Sequence, residues 1–586
     1  MSGRFSLWIL LVGYLALGVF YTFSTPMFEA PDEAFHFALV DHLSNGGELP
    51  DQRIPERRLW KQEGSQPPLF YLLAAQVVSP FQYPFESLRA ALVRNPHAYL
   101  GDPASTGMGN RNYAVHEGAY PPFDGLSMAF YAARLFNVAL GAVAVWGIYR
   151  AASVMLHSKQ AWAAAALAAF NPQFLFIAAA VNNDILIAAL GSLILWQTLV
   201  MLRDGFKSRR SLILALLVGL VALTKLSGLL FGGLVGLAAL WVVYHRRDWR
   251  GLLRLALFGV TAWALIAGWW YWRNIILYAD LTGTRQMLFI IGTRPAPLLG
   301  DLLVELLSLT DSFWGVFGWF NILPPALYHH AIDILLIMAG TGLLLRAARR
   351  RDDGLTRVNI GLMALTAVAG LGALIVWTLQ THGTQGRLLF PYIAAWNILI
   401  IIGLSELRFP MRGLVIGLAG CAVLFAPLVI APQYAAPAPL DALPADAVPF
   451  SASWGDEIEI VGHSHLDTGR YSAGDLVPIT VYWRPVVQSP RPRSLYLHLI
   501  TPDAQIIGQV NSYPAGGMRQ TTTWQPDKIY PDTYLIRLTE SVTGAFQLRL
   551  EVGWVRANGQ TMQAFDPNNN PAAYVIVPAG FYTTAP

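Results

Sequence analysis

Residues 413–431 have the sequence GLVIGLAGCAVLFAPLVIA and are followed, at 432–449, by PQYAAPAPLDALPADAVP. The first stretch contains no charged residue and is long enough to cross a bilayer, which takes about 20 apolar residues. The second is rich in Ala, Pro and Asp, a composition that is typical of a linker. This junction divides the chain into an N-terminal membrane part, residues 1–431, and a C-terminal part that begins near residue 450.

The C-terminal part, residues 450–586, alternates apolar and polar residues with a period of two. Examples are EIEI at 457–460, ITVYW at 479–483, SLYLHL at 494–499 and FQLRL at 546–550, with Gly, Pro and Asp between them. Short alternating strands separated by such turn residues are typical of a β-sandwich. We therefore predict an all-β sandwich domain after the linker.

The N-terminal part contains further apolar runs of span length. The chain is 54% hydrophobic and 13% charged, whereas about a quarter of the residues in ordinary soluble proteins are charged. We predict a multi-pass α-helical membrane protein with about eleven spans, near 6–23, 127–149, 161–181, 185–202, 211–229, 230–244, 253–274, 330–346, 358–379, 388–405 and 413–431. The net charge of +4 gives no indication of nucleic-acid binding. The single cysteine, Cys421, excludes an intramolecular disulfide.

The basic residues orient these spans. Clusters such as 203–210, 245–250 and 346–357 fall in every second connection, and such clusters mark the cytoplasmic side. This pattern predicts a plasma (inner) membrane protein with a cytoplasmic N-terminus and an extracytoplasmic C-terminal domain. Residues 6–23 could instead be a cleaved signal peptide, but no good small-residue cleavage site follows them. Two long outer loops are then expected, at 24–126 and 275–329, and in the first of them Leu69 to Val78 is predicted as an apolar helix too short to span.

Six polar residues lie near span ends on the predicted outer side, which is an unusual concentration. They are Arg134, Asp184, Lys225, Arg273, Gln385 and Arg387. A charge in hydrocarbon costs several kcal/mol, so charges in membrane segments usually mark function. The structural alternatives are a helix cap for Asp184, an interfacial anchor for Lys225 or Arg273, and a turn at Gln385 to Arg387.

The acidic motif Glu29-Ala-Pro-Asp32-Glu33-Ala-Phe-His36 follows the first predicted span. If a helix begins at Asp32, then Asp32 and His36 share one face. Asp32 could simply cap that helix, with Glu33 complementing its dipole. Alternatively, a carboxylate here would be a general base facing cations suited to phosphate. Glu29, Asp32 and His36 also form a weak candidate set of ligands for a divalent ion.

Several short segments, in this order, resemble those of the C-class (GT-C) integral-membrane glycosyltransferases. They are 31–36 (PDEAFH), 66–71 (QPPLFY), 171–173 (NPQ), 181–184 (VNND), 223–227 (LTKLS), 268–274 (GWWYWRN) and 385–391 (QGRLLFP). This superfamily includes the protein O-mannosyltransferases and the lipid A aminoarabinose transferase. The likeness covers residues 1–430, and the C-terminal domain is similar to jelly-roll modules attached to such enzymes. Phe35 departs from the pattern, because relatives often have a small residue or Pro there.

The resemblance implies a glycosyltransferase with a polyprenyl-phosphate sugar donor and a catalytic acid in the first outer loop, at the position of Asp32. The acceptor would be a hydroxyl of a glycan, lipid or protein, and transfer would invert the anomeric carbon. Lys225, Arg273, Arg387, Gln385 and Arg134 are the candidate phosphate-binding residues. Glu33 is a second candidate catalytic acid, and Glu29, His36 and Asp184 are candidates for positioning the sugar or acceptor. No cofactor is required by this scheme, although a divalent cation could take part.

Two other classes of protein remain open. A transporter would be expected to place its polar groups near the midplane within repeated halves, and no repeat is visible here. A membrane-anchored carbohydrate-binding scaffold would act through its β-domain and would leave the charges on the outer side unexplained.

Overall fold

The computed structural model describes residues 3–53, 59–84, 86–101, 110–116, 124–350, 352–464, 471–539 and 546–583. The α-helices are α1 (Gly3–Ser24), α2 (Glu33–Ser44), α3 (Leu69–Val78), α4 (Ser87–Ala91), α5 (Gly125–Met155), α6 (Ser158–Ala169), α7 (Pro172–Ala178), α8 (Asp184–Asp204), α9 (Ser208–Ala222), α10 (Leu229–Arg246), α11 (Trp249–Trp263), α12 (Trp269–Tyr278), α13 (Thr284–Ile291), α14 (Leu299–Trp314), α15 (Ala326–Arg349), α16 (Gly354–Thr378), α17 (Ile393–Glu406) and α18 (Met411–Phe425). The chain forms two compact units. The first comprises Met1–Pro84, Phe123–Phe317 and Leu323–Val429, and the second comprises Phe85–Pro122, Gly318–Ile322 and Ile430–Pro586.

The helices of the first unit confirm the predicted multi-pass membrane architecture. Within the described residues, nine helices are long and apolar enough to span a bilayer, and the bent pair α6–α7 brings the number to ten. The remaining predicted span, 211–229, corresponds to α9, which has 15 residues and ends at Ala222. The short apolar helix predicted at 69–78 is α3.

The bend between α6 and α7 follows from the local sequence. The two helices meet at an angle of 59°. The Asn171 side chain accepts hydrogen bonds from the backbone N–H groups of Gln173 and Phe174, and Pro172 occupies the first helical position. An Asn cap followed by Pro starts a new helix, so the span is broken at this point.

The turn between α9 and α10 is fixed by three distant groups. The Leu69 N–H donates to the Leu223 carbonyl (3.0 Å), the Tyr271 hydroxyl donates to the Ala222 carbonyl (2.8 Å), and the Tyr392 hydroxyl donates to the Ser227 carbonyl (3.0 Å). Because carbonyls beyond a helix end need partners, these bonds give the turn one defined shape. Lys225 lies in the middle of this turn.

The second unit contains two antiparallel sheets, which confirms the predicted β domain. The strands are β1 (Val448–Trp454), β2 (Ile458–His463), β3 (Leu476–Pro485), β4 (Ser494–Ile500), β5 (Ile506–Ser512), β6 (Tyr530–Arg537), β7 (Phe546–Val555), β8 (Ala564–Phe565), β9 (Pro571–Ala572) and β10 (Val575–Thr583). Their orders are β6-β3-β2-β1-β8-β9 and β10-β7-β4-β5. Four buried tryptophans form the centre of the core: Trp454, Trp483, Trp524 and Trp554.

Parts of both long loops belong to this second unit. The Asn110 side chain donates to Ser512 Oγ (2.6 Å) and accepts from the Tyr513 N–H (3.0 Å). The Asn321 amide donates to the Tyr99 and Arg111 carbonyls (2.8 and 2.9 Å). The predicted linker, 432–449, belongs to this unit too, and Leu440 and Ile529 exchange two backbone hydrogen bonds. The two predicted outer loops and the β domain therefore contribute to one folded body.

Candidate functional site

Asp32 lies at the start of α2 with a left-handed backbone, at φ 61°. A non-glycine residue seldom adopts this conformation, and such residues concentrate at functional sites. Its carbonyl accepts hydrogen bonds from the Phe35 and His36 N–H groups (2.9 and 3.0 Å), whereas its carboxylate makes no capping hydrogen bond. The main chain therefore starts the helix, and the carboxylate is available for another role.

The Asp32 carboxylate pairs with Arg387. The Arg387 NH2 group donates to Asp32 Oδ2, and NH1 donates to the Pro31 carbonyl (3.3 Å). The Gln385 side chain accepts from Arg387 Nε (2.7 Å). Gln385 therefore orients the guanidinium, and the sequence-predicted residues Asp32, Gln385 and Arg387 meet in one place.

Asp184 links Arg387 to a second cation. Arg387 NH1 lies 3.6 Å from Asp184 Oδ2, and Lys225 Nζ donates to Asp184 Oδ1. We refer to Asp32, Asp184, Lys225 and Arg387 as the Asp32 cluster. The exposed fractions of the side chains are 28% for Asp32 and 17% for Lys225, but 2% for Asp184 and 4% for Arg387. Ligands can therefore reach the cluster at Asp32 and Lys225. The buried Asp184 carboxylate holds Lys225 and Arg387 in place.

Asparagine side chains fix the position of Asp184. The Asn182 side chain accepts from the Asp184 N–H (3.0 Å) and donates to the Ile177 carbonyl (2.7 Å). From α5, the Asn137 amide donates to the Asn182 carbonyl (2.9 Å). These bonds replace the regular helix pattern between α7 and α8 and leave the carboxylate directed at Lys225 and Arg387.

A buried group of three side chains adjoins the Asp32 cluster. The Tyr71 hydroxyl donates to Glu63 Oε2 (2.9 Å), and His36 Nδ1 lies 2.9 Å from the Tyr71 hydroxyl and 3.3 Å from Glu63 Oε2. Burial, assisted by the negative charge of Asp32, raises the pKa of Glu63 to about 8. Burial lowers the pKa of His36 to about 3. At neutral pH this group therefore consists of a protonated acid, a phenol and a neutral imidazole.

The sequence motifs include His36 but not Glu63. Glu63 lies in the 3₁₀ turn Lys61–Ser65, directly before the segment 66–71 that carries part of the family resemblance. Its partner Tyr71 lies within that segment. The proximity of an acid to that segment was the available signal, although only the tertiary contacts distinguish Glu63 from other loop acids.

Glu33 and Arg134 are bound to each other rather than directed at the Asp32 cluster. Arg134 donates to the Glu33 carboxylate from Nε (2.7 Å) and NH2 (2.6 Å). Its other N–H groups reach the carbonyls of Thr22, Thr25 and Pro26 at 2.7 to 2.9 Å. Both side chains have 0% exposure. All five guanidinium donors are thus used internally, and we assign the pair a role in holding α1, α2 and α5 together instead of the predicted catalytic and phosphate-binding roles.

A further sequence candidate, Arg273, makes contacts outside the Asp32 cluster. Arg273 NH2 donates to the carbonyls of Leu49 and Pro50 (3.0 and 2.8 Å), and its guanidinium lies over the Trp270 ring. It anchors the first loop to α12. Glu29 is fully buried.

The described residues contain no group of three His, Cys, Asp or Glu side chains arranged to hold a metal ion. Asp32 pairs with Arg387, and His36 pairs with Tyr71. The structure therefore does not bring Glu29, Asp32 and His36 together as ligands of a divalent ion.

Residues 124–395 match the sequence family described as "Predicted membrane protein (DUF2142)". No curated protein matches the sequence. Among solved structures, the chain is similar to ArnT from Cupriavidus metallidurans bound to undecaprenyl phosphate, with 15% identity and a TM-score of 0.42 over 71% of this chain and 63% of that one.

Similarity extends to the archaeal oligosaccharyltransferase AglB from Archaeoglobus fulgidus in complex with an inhibitory peptide and a dolichol-phosphate, with 13% identity and a TM-score of 0.36 over 73% and 55% of the two chains. It also extends to the S. cerevisiae protein O-mannosyltransferase Pmt1-Pmt2 complex bound to the sugar donor, with 14% identity and a TM-score of 0.31 over 49% and 34%. The chain spans less than two thirds of the length of each of these three structures.

Proposed function

We propose that this chain is a membrane glycosyltransferase that moves a sugar from a polyprenyl-phosphate donor to an acceptor hydroxyl. The observation that carries the proposal is the Asp32 cluster, in which a partly exposed carboxylate lies against Arg387 and, through Asp184, next to Lys225. A base beside two fixed cations is the arrangement needed when a hydroxyl is deprotonated while a phosphate leaves. The sequence resemblance to GT-C enzymes supports the same chemistry.

Asp32 acts as the general base in this scheme. Its carboxylate takes the proton of the acceptor hydroxyl as the hydroxyl oxygen forms a bond to the anomeric carbon of the donor sugar. The bond between that carbon and the phosphate oxygen breaks, and the polyprenyl phosphate departs with the electron pair. Attack opposite to the leaving group inverts the anomeric carbon.

Lys225 and Arg387 stabilise the leaving phosphate. Negative charge grows on the phosphate as the bond breaks, and two cations in a largely buried site oppose that charge strongly. Arg387 is paired with Asp32 in the structure, so a bound phosphate competes with the carboxylate for the guanidinium. Donor binding then releases Asp32 toward the acceptor, and Asp184 keeps both cations in place.

Glu63, Tyr71 and His36 position the reacting groups. Glu63 is protonated at neutral pH because burial holds its pKa at about 8. A neutral Glu63 adds no negative charge that would repel the donor phosphate. The hydrogen bond between Tyr71 and Glu63 fixes the positions of these two side chains beside the Asp32 cluster. We propose that the buried Glu29 also helps to position the sugar or the acceptor.

The arrangement also supports a site on one side of the membrane. Asp32 follows α1, Asp184 begins α8, Lys225 follows α9 and Arg387 precedes α17. Because these residues contact one another and the hydrocarbon core is about 30 Å thick, all four helix ends lie at one face. The basic clusters at the opposite helix ends favour the cytoplasm there, so we propose that the site and the β domain are extracytoplasmic.

The test is a transfer assay on the full chain in nanodiscs, with a panel of radiolabelled polyprenyl-phosphate sugars and a membrane extract as acceptor source. Asp32→Asn is expected to lower transfer by about 10²- to 10⁴-fold, the usual contribution of a general base. Donor binding is expected to be equal or tighter, because the substitution removes the carboxylate that competes for Arg387. Asp51→Asn is the matched control, since Asp51 pairs with Arg53 in the loop, and should transfer like the wild type.

Equal transfer by wild type and Asp32→Asn would contradict the assignment of Asp32 as the base and would move the base to Asp184. Absence of both transfer and donor binding for every donor in the wild type would contradict the proposal and favour a transporter or a scaffold.

A further inference from the structure

A basic cavity lies between α5, α8 and α9. Its volume is about 350 Å³. Its wall includes Arg150, Trp196, Gln197, Arg203, Arg209 and Arg210. Arg203 follows Asp184 by 19 residues within α8, which is roughly 28 Å at 1.5 Å per residue. The cavity is therefore separate from the proposed transfer site and close to the other face of the membrane.

Positive charge converges on this cavity from three helices. Arg150 comes from α5, Arg203 from α8, and Arg209 and Arg210 from α9. Asp204 pairs with Arg203 (2.8 Å) and Arg210 (2.6 Å), so one carboxylate offsets only part of four positive charges. Arginines that line one cavity repel one another, and a further anion between them would relieve that repulsion.

The start of α9 adds a second reason to expect an anion. Arg209 and Arg210 lie in its first turn, and its N-cap residue Lys207 provides no side-chain hydrogen bond. The first N–H groups of a helix lack intrahelical partners, and the helix dipole is positive at this end. Cations are unfavourable there, whereas a phosphate accepts hydrogen bonds from the backbone and from Arg side chains alike.

The apolar part of the wall indicates that the anion belongs to a lipid. Trp196, Val200 and Ile213 line the cavity beside the arginines, and the Trp196 ring lies 4.3 Å from the Arg150 guanidinium. Ile213 and Leu216, one turn apart on α9, are 37% and 41% exposed. A free phosphate would leave this apolar surface unused, while an acyl chain would cover it.

We propose that this cavity binds the phosphodiester headgroup of an anionic phospholipid, held between α5, α8 and α9. Basic pockets between spanning helices on the cytoplasmic side are suited to such headgroups. The positive-inside rule alone explains basic residues at these helix ends, but it does not require arginines of three helices to face one cavity with an aromatic wall. The inference is independent of the proposed transferase activity.

Lipid retention by the purified full chain, followed by native mass spectrometry, tests this inference. The probes are palmitoyl-oleoyl phosphatidylglycerol and phosphatidylcholine, which have the same acyl chains and differ in headgroup charge. The wild type is expected to retain phosphatidylglycerol preferentially. The double variant Arg150→Gln with Arg209→Gln is expected to lose about 25-fold in retention, at roughly fivefold per arginine.

The matched control is Arg357→Gln with Arg412→Gln, two exposed arginines outside the cavity, and it should change retention less than about twofold. If the double variant unfolds, the single variant Arg209→Gln replaces it, because Arg209 is exposed. Its retention of phosphatidylglycerol is expected to fall about fivefold. Equal losses in the cavity and control pairs would overturn the proposal. Binding of inorganic phosphate with the same arginine dependence, without preference for phosphatidylglycerol, would overturn the lipid assignment.

Discussion

The Arg134 guanidinium and the Glu33 carboxylate form a bidentate ion pair with no exposed surface, at 2.6 and 2.7 Å. Removing one member leaves the other as an unpaired buried charge. Arg134→Gln is therefore expected to destabilise the protein by about 3 to 5 kcal/mol, measured as a lower unfolding midpoint in detergent. Arg254→Gln, at an exposed position, is the control and should stay within about 0.5 kcal/mol. Unchanged stability combined with weakened donor binding would instead make Arg134 a phosphate ligand.

Arg387 should not be replaceable by lysine. Its three nitrogen atoms together contact Asp32, Asp184, Gln385 and the main chain, and a single ammonium group cannot reproduce this geometry. Arg387→Lys is expected to lower transfer by about 10²-fold although the charge is kept. Arg273→Lys is the control, because Arg273 donates to loop carbonyls outside the cluster, and its loss should be below tenfold. A greater loss for Arg273→Lys would place the phosphate at Arg273.

The pH dependence of stability should report on Glu63. Burial raises its folded-state pKa to about 8, while an unfolded Glu titrates near 4.5, so the folded state holds a proton that the unfolded state releases. Between these values stability falls as the pH rises. His36, whose folded pKa is lowered to about 3, acts in the opposite direction, but only below its unfolded pKa of 6.5.

Between pH 6.5 and 8 the buried Asp532, whose pKa burial raises to about 7, acts in the same direction, so only the difference between the wild type and Glu63→Gln isolates Glu63. The wild type is expected to lose about 1 to 2 kcal/mol more than Glu63→Gln across this range, seen as a steeper fall of the unfolding midpoint. Parallel slopes for the two proteins would show that Glu63 is ionised in the folded state.

Gly386 should be required for the position of Arg387. A Cβ at Gly386 would lie 2.5 Å from the Leu309 carbonyl oxygen and also meet the Phe313 backbone. Gly386→Ala is expected to cost about 1 to 3 kcal/mol through overpacking and to lower transfer by displacing Arg387 from Asp32. Gly372→Ala is the control because its Cβ would meet no atom within 4 Å. Full activity of Gly386→Ala would contradict this requirement.

Local sequence patterns anticipated the architecture because each depends on neighbouring residues only. The helix Leu69–Val78 was predicted with the bounds that the structure has, since an apolar run of ten residues after Pro68 leaves few alternatives. The length of the 211–229 span was not predictable in the same way. Helix α9 ends at Ala222 because Leu69, Tyr271 and Tyr392 bond the following turn, and these partners are distant in sequence.

The candidate site shows what a motif leaves open. Asp32 and Glu33 are adjacent acids in one motif, and nothing in the motif distinguishes them. In the structure Glu33 is saturated by Arg134, while Asp32 keeps partial exposure beside Arg387. Glu63 belongs to none of the sequence motifs, and only its contacts with Tyr71 and His36 place it beside the site.

The sequence by itself determined that this chain has a membrane-helix part and a β part, because hydrophobic length and period-two alternation are local properties. Only the tertiary structure decided which charges meet. Arg134 and Glu33 are 101 residues apart, and Arg387 and Asp32 are 355 apart. Whether a charged side chain is neutralised internally or left available to a ligand depends on partners that folding brings from such distances, and no local pattern encodes them.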